Sequence, residues 1–273
     1  MANFRTETSD RYFPRITVIT PSFNQVDFLE RTILSVLNQN YPNLEYIIID
    51  GGSTDGSVEI IRKYEKFLAY WESEKDDGQS QAINKGLKRA TGKWVAWQNS
   101  DDIFYPDAFN SFAEAVRKNS QSILFIGNMN LIDEHDKIIN ILKYVTPTYQ
   151  SLLAEGMVLT NQAAFWSRDL HERIGYLNED LHYVFDFEWF LRVLATGCAT
   201  HVNQTWGGLR MHLQTKTSKY QEKFDQEYLE IRRGRELSQL QVRFFQLRRL
   251  SIMLTRGDIA YILRGIGRRL FNQ

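Results

Sequence analysis

Asp101 and Asp102 stand side by side where a short apolar run, Trp94-Val95-Ala96-Trp97, gives way to Gln98-Asn99-Ser100. Two carboxylates at a strand end repel each other unless water or a cation neutralises them. Hard divalent cations such as Mg²⁺ or Mn²⁺ suit an oxygen-rich setting of this kind and commonly share it with a substrate's phosphates. The same residues also fit a solvated turn that caps the next helix. A second acidic strand end, Asp50-Gly51-Gly52-Ser53-Thr54-Asp55, joins a carboxylate to glycines that let a ligand approach the backbone. It carries neither the Gly-Lys-Ser/Thr of a phosphate loop nor the Gly-x-Gly-x-x-Gly of a dinucleotide fingerprint, and taken alone it fits a helix-capping turn.

The elements around these stretches decide between the readings. Ile16-Thr17-Val18-Ile19-Thr20, ended by Pro21, has the β-branched content of a strand. Leu29, Ile33, Val36 and Leu37 recur at helical spacing. Leu44-Glu45-Tyr46-Ile47-Ile48-Ile49 is apolar enough for a strand buried on both faces. A helix bearing Ile60, Ile61, Tyr64, Phe67 and Leu68 follows, then a third strand around Leu68-Tyr70-Trp71. A helix with Ala82, Ile83, Leu87 and Ala90 leads into the strand before Asp101. Such alternation with short connections predicts right-handed βαβ units and a parallel sheet, in which ligands sit outside the carboxyl ends of the strands. Thr20-Pro21-Ser22, Asp50-Gly51-Gly52 and Asn99-Ser100-Asp101-Asp102 all occupy that position. Their convergence is harder to explain as turn chemistry than any one loop is. Further along, the pattern predicts a helix over 106–118, a strand over 123–127, a turn at 133–136 with a returning strand, a short strand at 162–166, helices over 168–174 and 186–194, and closing strands at 199–202 and 206–210.

The bulk numbers exclude several classes. A chain of 273 residues, 43% hydrophobic and 24% charged, forms one large domain with or without an appendage. Zero formal charge offers no field for nucleic acid. A single cysteine, Cys198, rules out an intramolecular disulfide or a Cys-based zinc site and fits a reducing cytoplasm. Residues 1–15 are polar, an extension rather than a signal peptide. No stretch approaches the ~18 apolar residues of a membrane span. The neutrality hides a gradient: from residue 231 on, ten arginines (232, 233, 235, 243, 248, 249, 256, 264, 268, 269) face only Glu236 and Asp258.

Taken in order, Thr20-Pro21-Ser22-Phe23-Asn24, Asp50-Gly51-Gly52-Ser53-Thr54-Asp55-Gly56-Ser57, Ser73-Glu74-Lys75-Asp76-Asp77-Gly78-Gln79, Ala82-Ile83-Asn84-Lys85-Gly86 and Asn99-Ser100-Asp101-Asp102 resemble family 2 glycosyltransferases over roughly residues 14–215. The resemblance implies an α/β protein with the Rossmann-like GT-A fold: a mostly parallel mixed sheet flanked by helices, here with a C-terminal helical extension. It implies an inverting enzyme with a nucleotide-sugar donor, typically UDP-linked, and a glycan or polyprenyl-linked acceptor hydroxyl, working in bacterial surface polysaccharide or glycoconjugate assembly. The expected division is an extension at 1–15, a catalytic domain at 16–218 (nucleotide half 16–104, acceptor half 105–218) and a basic helical segment at 219–273.

The resemblance also implies roles. Pro21, Ser22 and Phe23 would border the base and ribose, with Thr20 and Asn24 also counted as donor-binding. Asp50 would accept from the base ring, with Gly51, Gly52 and Ser53 beside it. Asp76 and Lys85 would line the donor. Asn99, Ser100, Asp101 and Asp102 match the family's DxD-type motif, with Asp101 and Asp102 on a Mn²⁺ or Mg²⁺ ion and Asn99 nearer the ribose. Two departures stand out: Asn99 replaces a first Asp, and Gln81 stands where a second Asp often precedes Ala82. A divalent cation would stabilise charge on the departing nucleoside diphosphate. Asp186, opening Asp186-Phe187-Glu188-Trp189-Phe190-Leu191-Arg192, is the candidate general base, or else an N-cap; Phe185 replaces the Glu that usually precedes it. Glu188 is the fallback base, with Trp189 beside it on the acceptor side. His212 falls where many members place a metal- or diphosphate-contacting histidine, and Asn161 and Gln162 fall on the acceptor side.

Two other classes share parts of this pattern. A nucleotidyltransferase of related fold would open with a Gly-rich basic loop after the first strand, which residues 20–25 lack. A non-catalytic nucleotide-sugar binding module would not need both Asp101 and Asp186. Beyond residue 218, Leu237, Leu240, Phe244, Leu247, Leu250, Ile252 and Leu254 form an apolar stripe among the arginines, continued by Tyr261-Ile262-Leu263, Ile266 and Leu270-Phe271. Such helices pack on the body or on a second subunit as a homodimer, or lie on an anionic membrane surface at the inner face of the cytoplasmic membrane.

Overall fold

The computed structural model describes residues 13–212 and 221–271, with side chains described through residue 265. β1 (Ile16–Ser22), α1 (Val26–Leu37), β2 (Leu44–Asp50), α2 (Ser57–Tyr64), β3 (Tyr70–Ser73), α3 (Gln79–Arg89) and β4 (Trp94–Trp97) alternate along the chain. β1 pairs in parallel with β2 and β4, and β2 with β3. Every residue of β1 is buried, which explains its unbroken β-branched run. Leu29, Ile33 and Val36 of α1 are fully buried, as the helical spacing predicts. The register sets Ser22 opposite Asp50 and Asp50 opposite Ser73, so the polar strand ends finish in one row.

The second half makes the sheet mixed. β5 (Ile103–Phe104), α4 (Ala108–Lys118), β6 (Leu124–Ile132), β7 (Ile138–Leu142), α5 (Tyr149–Glu155), β8 (Ala164–Ser167), α6 (Leu170–Ile174), α7 (Phe185–Thr196) and β9 (Ala199–Arg210) complete it. β8 joins β4 and β6 antiparallel, while β6 and β9 run parallel. The strand order is β3-β2-β1-β4-β8-β6-β9-β5, with β7 added on β6. This is a mixed α/β sheet flanked by helices, as expected. Its core is aromatic: Phe112 stacks on Phe165 at 4.3 Å between centroids, and Trp206 meets Phe165 edge-on at 5.5 Å. Edge-to-face and offset pairs favour such rings beyond their simple burial.

Three sequence expectations need correction. The two closing strands are one continuous β9, because bulges opposite Ile126–Met129 absorb the polar stretch Asn203-Gln204-Thr205 within the ladder. Phe67 lies exposed in a 3₁₀ turn (Glu65–Phe67) rather than on the buried face of α2. α5 is a short helix that the apolar spacing does not announce; Thr148 and Ser151 start it with a reciprocal capping box.

Three helices follow: α8 (Gln221–Arg232), α9 (Gln239–Thr255) and α10 (Ile259–Phe271). α9 lies against α5, where Arg249 pairs with Glu155 at 2.8 Å, and Arg256 reaches the carbonyl of Tyr144 at 2.9 Å. The expected boundary at 218/219 and residues 1–12 of the expected extension lie outside the described residues.

Candidate active site

The row of strand ends builds a crevice whose polar groups are largely spoken for by one another. The carboxylate of Asp50 is fully buried and accepts from the amides of Gly52 (3.1 Å) and Ser53 (2.8 Å) and from the hydroxyls of Ser53 (2.5 Å) and Ser73 (2.7 Å). Asp50 therefore folds its own glycine loop around itself, and a base could reach it only where Ser53 gives way. Gly51 lies beside it, and a Cβ there would come 2.8 Å from an oxygen of Asp76, whose carboxylate would have to shift. Asn24, at φ 50°, accepts from the Thr54 amide at 2.9 Å, while its own amide donates to Ser53 Oγ at 2.8 Å. The β1 and β2 loops are thus tied together. Phe23 stays 59% exposed at the crevice mouth, an open ring face of the kind that stacks on a base.

Thr20 is a correction. It lies two residues inside the end of a strand buried on both faces, where its hydroxyl is 3.0 Å from the Tyr46 hydroxyl and has no surface. Pro21 is buried as well, whereas Ser22 Oγ, almost fully buried, has no partner among the described residues. Lys85 sits 3.6 Å from Glu72. Asp76 is held up from its ordinary range by burial, and its Oδ1 accepts from the Gly78 amide.

The acidic pair is sharply divided. Asp102 is 1% exposed, and both its oxygens are occupied: Oδ1 accepts from the Arg210 amide (2.8 Å), Oδ2 from Asn99 Nδ2 (3.0 Å) and Gln162 Nε2 (2.8 Å). Burial, then the charge of Asp101, pushes its carboxyl well up. Asp102 thus holds Asn99 and Gln162 in place from behind. That corrects the expectation of a second metal ligand, since its lone pairs already have donors, and it draws Gln162 into this centre rather than leaving it on the acceptor side alone. Asp101 faces outward, with Oδ2 3.0 Å from His212 Nε2. His212 packs against Phe28 at 4.7 Å between rings. Asn99 accepts from Gln79 Nε2 at 2.8 Å, linking β4 to the start of α3. Ser100 is buried, and the buried Nδ2 of Asn161 has no partner among the described residues.

Asp186 enters the same region through aromatic packing. Phe185 lies 6.0 Å from Trp97, at the end of the strand that leads to Asn99. Asp186 keeps some surface, but the surrounding protein pushes its carboxyl up to about 6 by desolvation. Its Oδ1 accepts from the Phe187 amide at 2.7 Å. Glu188 is committed elsewhere, with Arg192 on both its oxygens at 2.7 and 2.9 Å. Trp189 is another correction: it is fully buried, stacked on His171 at 4.6 Å and packed edge-on against Trp166 at 6.1 Å, so it belongs to the aromatic core.

Two residues escaped the sequence reading. Arg210 is fully buried, its Nε donating to the Asp101 carbonyl (2.7 Å) and its Nη1 to the Asp133 carbonyl (3.0 Å), with Asp136 at 2.6 Å. Glu227 of α8 accepts from the amides of His182 (3.0 Å), Tyr183 (2.8 Å) and Val184 (3.1 Å), just before α7 begins. An arginine ending the strand before His212 was a usable signal; nothing in the sequence marks Glu227.

Among the described residues no three His, Cys, Asp or Glu side chains gather as a metal cluster. Asp101 and His212 supply one carboxylate oxygen and one imidazole nitrogen, a set that suits a divalent cation completing its shell with water and substrate phosphates.

Residues 17–175 match the family model described as Glycosyl transferase family 2. An uncharacterized glycosyltransferase of Mycobacterium tuberculosis is 35% identical over 182 residues, 66% of this chain and 68% of that one. TuaG of Bacillus subtilis, a glycosyltransferase named for teichuronic acid biosynthesis, is 40% identical over 119 residues, 42% of this chain and 46% of its own length. S. aureus TarS residues 1–349, solved with UDP-GlcNAc, superposes with a TM-score of 0.66 at 17% identity, covering 80% of this chain and 65% of that one. A mannosyltransferase of Pyrobaculum calidifontis, solved with GDP-Man and Mn²⁺, gives 0.62 at 20% identity, covering 83% and 66%.

Proposed function

The chain belongs to glycosyl transferase family 2, and on that premise we propose that it transfers a sugar, with inversion, from a UDP-linked donor to an acceptor hydroxyl of a glycan or lipid-linked glycan in surface polysaccharide assembly. The observation that carries this reading is the division of labour among three acids. Asp101 faces His212, Asp102 is sealed behind it, and Asp186 has no cationic partner among the described residues.

Each residue has a task the geometry supports. Phe23, Ser22 and the loop tied by Asp50, Ser53 and Asn24 receive base and ribose. Asn99 and Ser100 border the ribose and diphosphate. Asp101 and His212 would hold the divalent cation, whose chemistry when bound would be to offset negative charge on the departing diphosphate. Asp186 accepts the acceptor hydroxyl's proton as that oxygen attacks the anomeric carbon from the side opposite the leaving group. One displacement of this kind inverts the centre. A carboxyl near 6 is ionised at neutral pH yet basic enough for the task, and such catalysis contributes about 10²–10⁴-fold. Glu188 is left to hold Arg192, and through it the carbonyls of Ile174 and Tyr176.

Incubating the protein with a panel of nucleotide sugars, with Mn²⁺ or with EDTA, tests this reading. Metal-dependent release of UDP from a UDP-sugar is expected. Pyrophosphate release from a sugar phosphate and nucleotide triphosphate would instead indicate a nucleotidyltransferase, and binding with no turnover of any donor in the presence of glycan acceptors would leave only a binding module.

A further inference from the structure

α9 and α10 leave a large apolar surface uncovered. Leu240, Phe244, Leu247, Leu250, Leu254, Ile259 and Leu263 are all exposed, Leu240 by 78% and Phe244 by 61%. Ile138 and Ile139 on β7 add to it, and the three elements enclose a groove of about 710 Å³. Single exposed leucines are ordinary; nine large apolar side chains on two helices and one strand mark a contact surface. This face is not turned out for want of an anchor. α9 is fixed to the body through Arg248 to the Thr146 carbonyl, Arg249 to Glu155 and Arg256 to the Tyr144 carbonyl.

The charge around the groove identifies the partner. Residues 239–265 hold Arg243, Arg248, Arg249, Arg256 and Arg264, and their sole acid, Asp258, is already paired with Lys143. Arg243 is exposed on the groove, and Arg264 beside it donates to a carbonyl of its own helix. A second copy docking by a twofold axis would set these arginines against each other. An anionic amphiphilic surface complements both the apolar area and the charge. Among the described residues no helix is long and apolar enough to cross a membrane, so the contact is with a surface rather than a span.

We propose that the α9–α10–β7 face docks the protein on a bilayer containing anionic lipids. Leu240, Phe244, Leu247 and Leu263 enter the headgroup boundary, and Arg243 and Arg264 meet lipid phosphates. The docking face is one hairpin from the active site. Ile138 and Ile139 follow the turn whose Asp136 holds Arg210, and Arg210 in turn holds the Asp101 carbonyl. Where the glycosyltransferase reading holds, the acceptor is a lipid-linked glycan presented at headgroup level; the docking itself does not rest on that reading.

Sedimentation of the full chain with phosphatidylcholine vesicles, with and without phosphatidylglycerol, tests the proposal. The protein is expected to pellet with the anionic vesicles and to be released by salt. Arg243→Gln lowers partitioning about five-fold, and the triple change Leu240→Ser, Phe244→Ser, Leu247→Ser lowers it by ~10-fold or more. All four positions are exposed, and unchanged circular dichroism verifies the fold; should the triple variant fail to fold, Arg243→Gln decides alone. Wild-type protein remaining in the supernatant overturns the proposal, as do variants that partition like wild type. A dimer in solution that the triple variant dissociates, with vesicle binding unchanged, assigns the face to a second copy and likewise overturns it. Vesicle binding by a protein that turns over no nucleotide sugar would defeat the proposed function and leave the docking intact.

Discussion

His212 Nε2 lies 3.0 Å from Asp101 Oδ2, although 111 residues separate them in the chain. β9 brings them together. It runs beside β6, pairs with β5 just after the acidic loop, and ends at Arg210, whose amide and guanidinium grip Asp102 and the Asp101 carbonyl. The strand's last residue therefore fixes the loop against which the histidine two positions later is set.

Asp186→Asn is expected to lower kcat by about 10²–10⁴-fold while leaving affinity for the nucleoside diphosphate unchanged. In the wild type, kcat/KM rises with pH through about 6 as the carboxyl ionises, and this limb is absent from the residual activity of the variant. Stability moves the opposite way. Burial raises the folded-state value above the ordinary 3.8, so the contribution of Asp186 is fully present below that value and is lost as pH rises through about 6. Removing the ionisable group therefore keeps or raises the melting temperature at neutral pH. Wild-type turnover in the variant, or an unaltered pH limb, sinks the assignment.

Arg210→Met removes a buried cation that satisfies two carbonyls and faces Asp136. A loss of about 3–5 kcal/mol of unfolding free energy is expected in urea titration, since the partners remain while the charge is gone. A change below ~0.5 kcal/mol, the range of ordinary surface substitutions, would contradict the structural role.

Glu227→Ala strips the acceptor from three successive amides before α7. A stability loss of about 1 kcal/mol is expected, the usual effect of losing a cap. Because those amides precede Asp186, kcat should fall while donor KM stays near wild type, and Glu227→Gln, which keeps an acceptor oxygen, should restore part of it. Equal kcat in the alanine variant would show that α8 does not position the base.

The parallel half of the fold was legible because each strand is buried on both faces and each helix on one, so period and burial agree. Asp101 could be singled out from residue type at a strand end, whereas His212 and Asp186 were named through the family resemblance. Asp102 could not be told from Asp101, because adjacent strand-end residues point in opposite directions and only the three-dimensional donors Asn99, Gln162 and Arg210 show which one is sealed. Thr20 and Trp189 were misplaced because residue type does not show depth: Thr20 lies inside a strand buried on both faces, and Trp189 is packed on Trp166 and His171. Glu227 acts from a helix outside the family's motifs, and a contact across 45 residues with backbone amides leaves no trace in the sequence.

The most direct test is the affinity of UDP measured by calorimetry with Mn²⁺ and with EDTA, for the wild type and for Asp101→Ala. The account predicts metal-dependent binding in the wild type, with the dependence lost in the variant and affinity falling to the wild-type value in EDTA. UDP affinity indifferent to metal in the wild type, or metal-dependent and unweakened in Asp101→Ala, would contradict it.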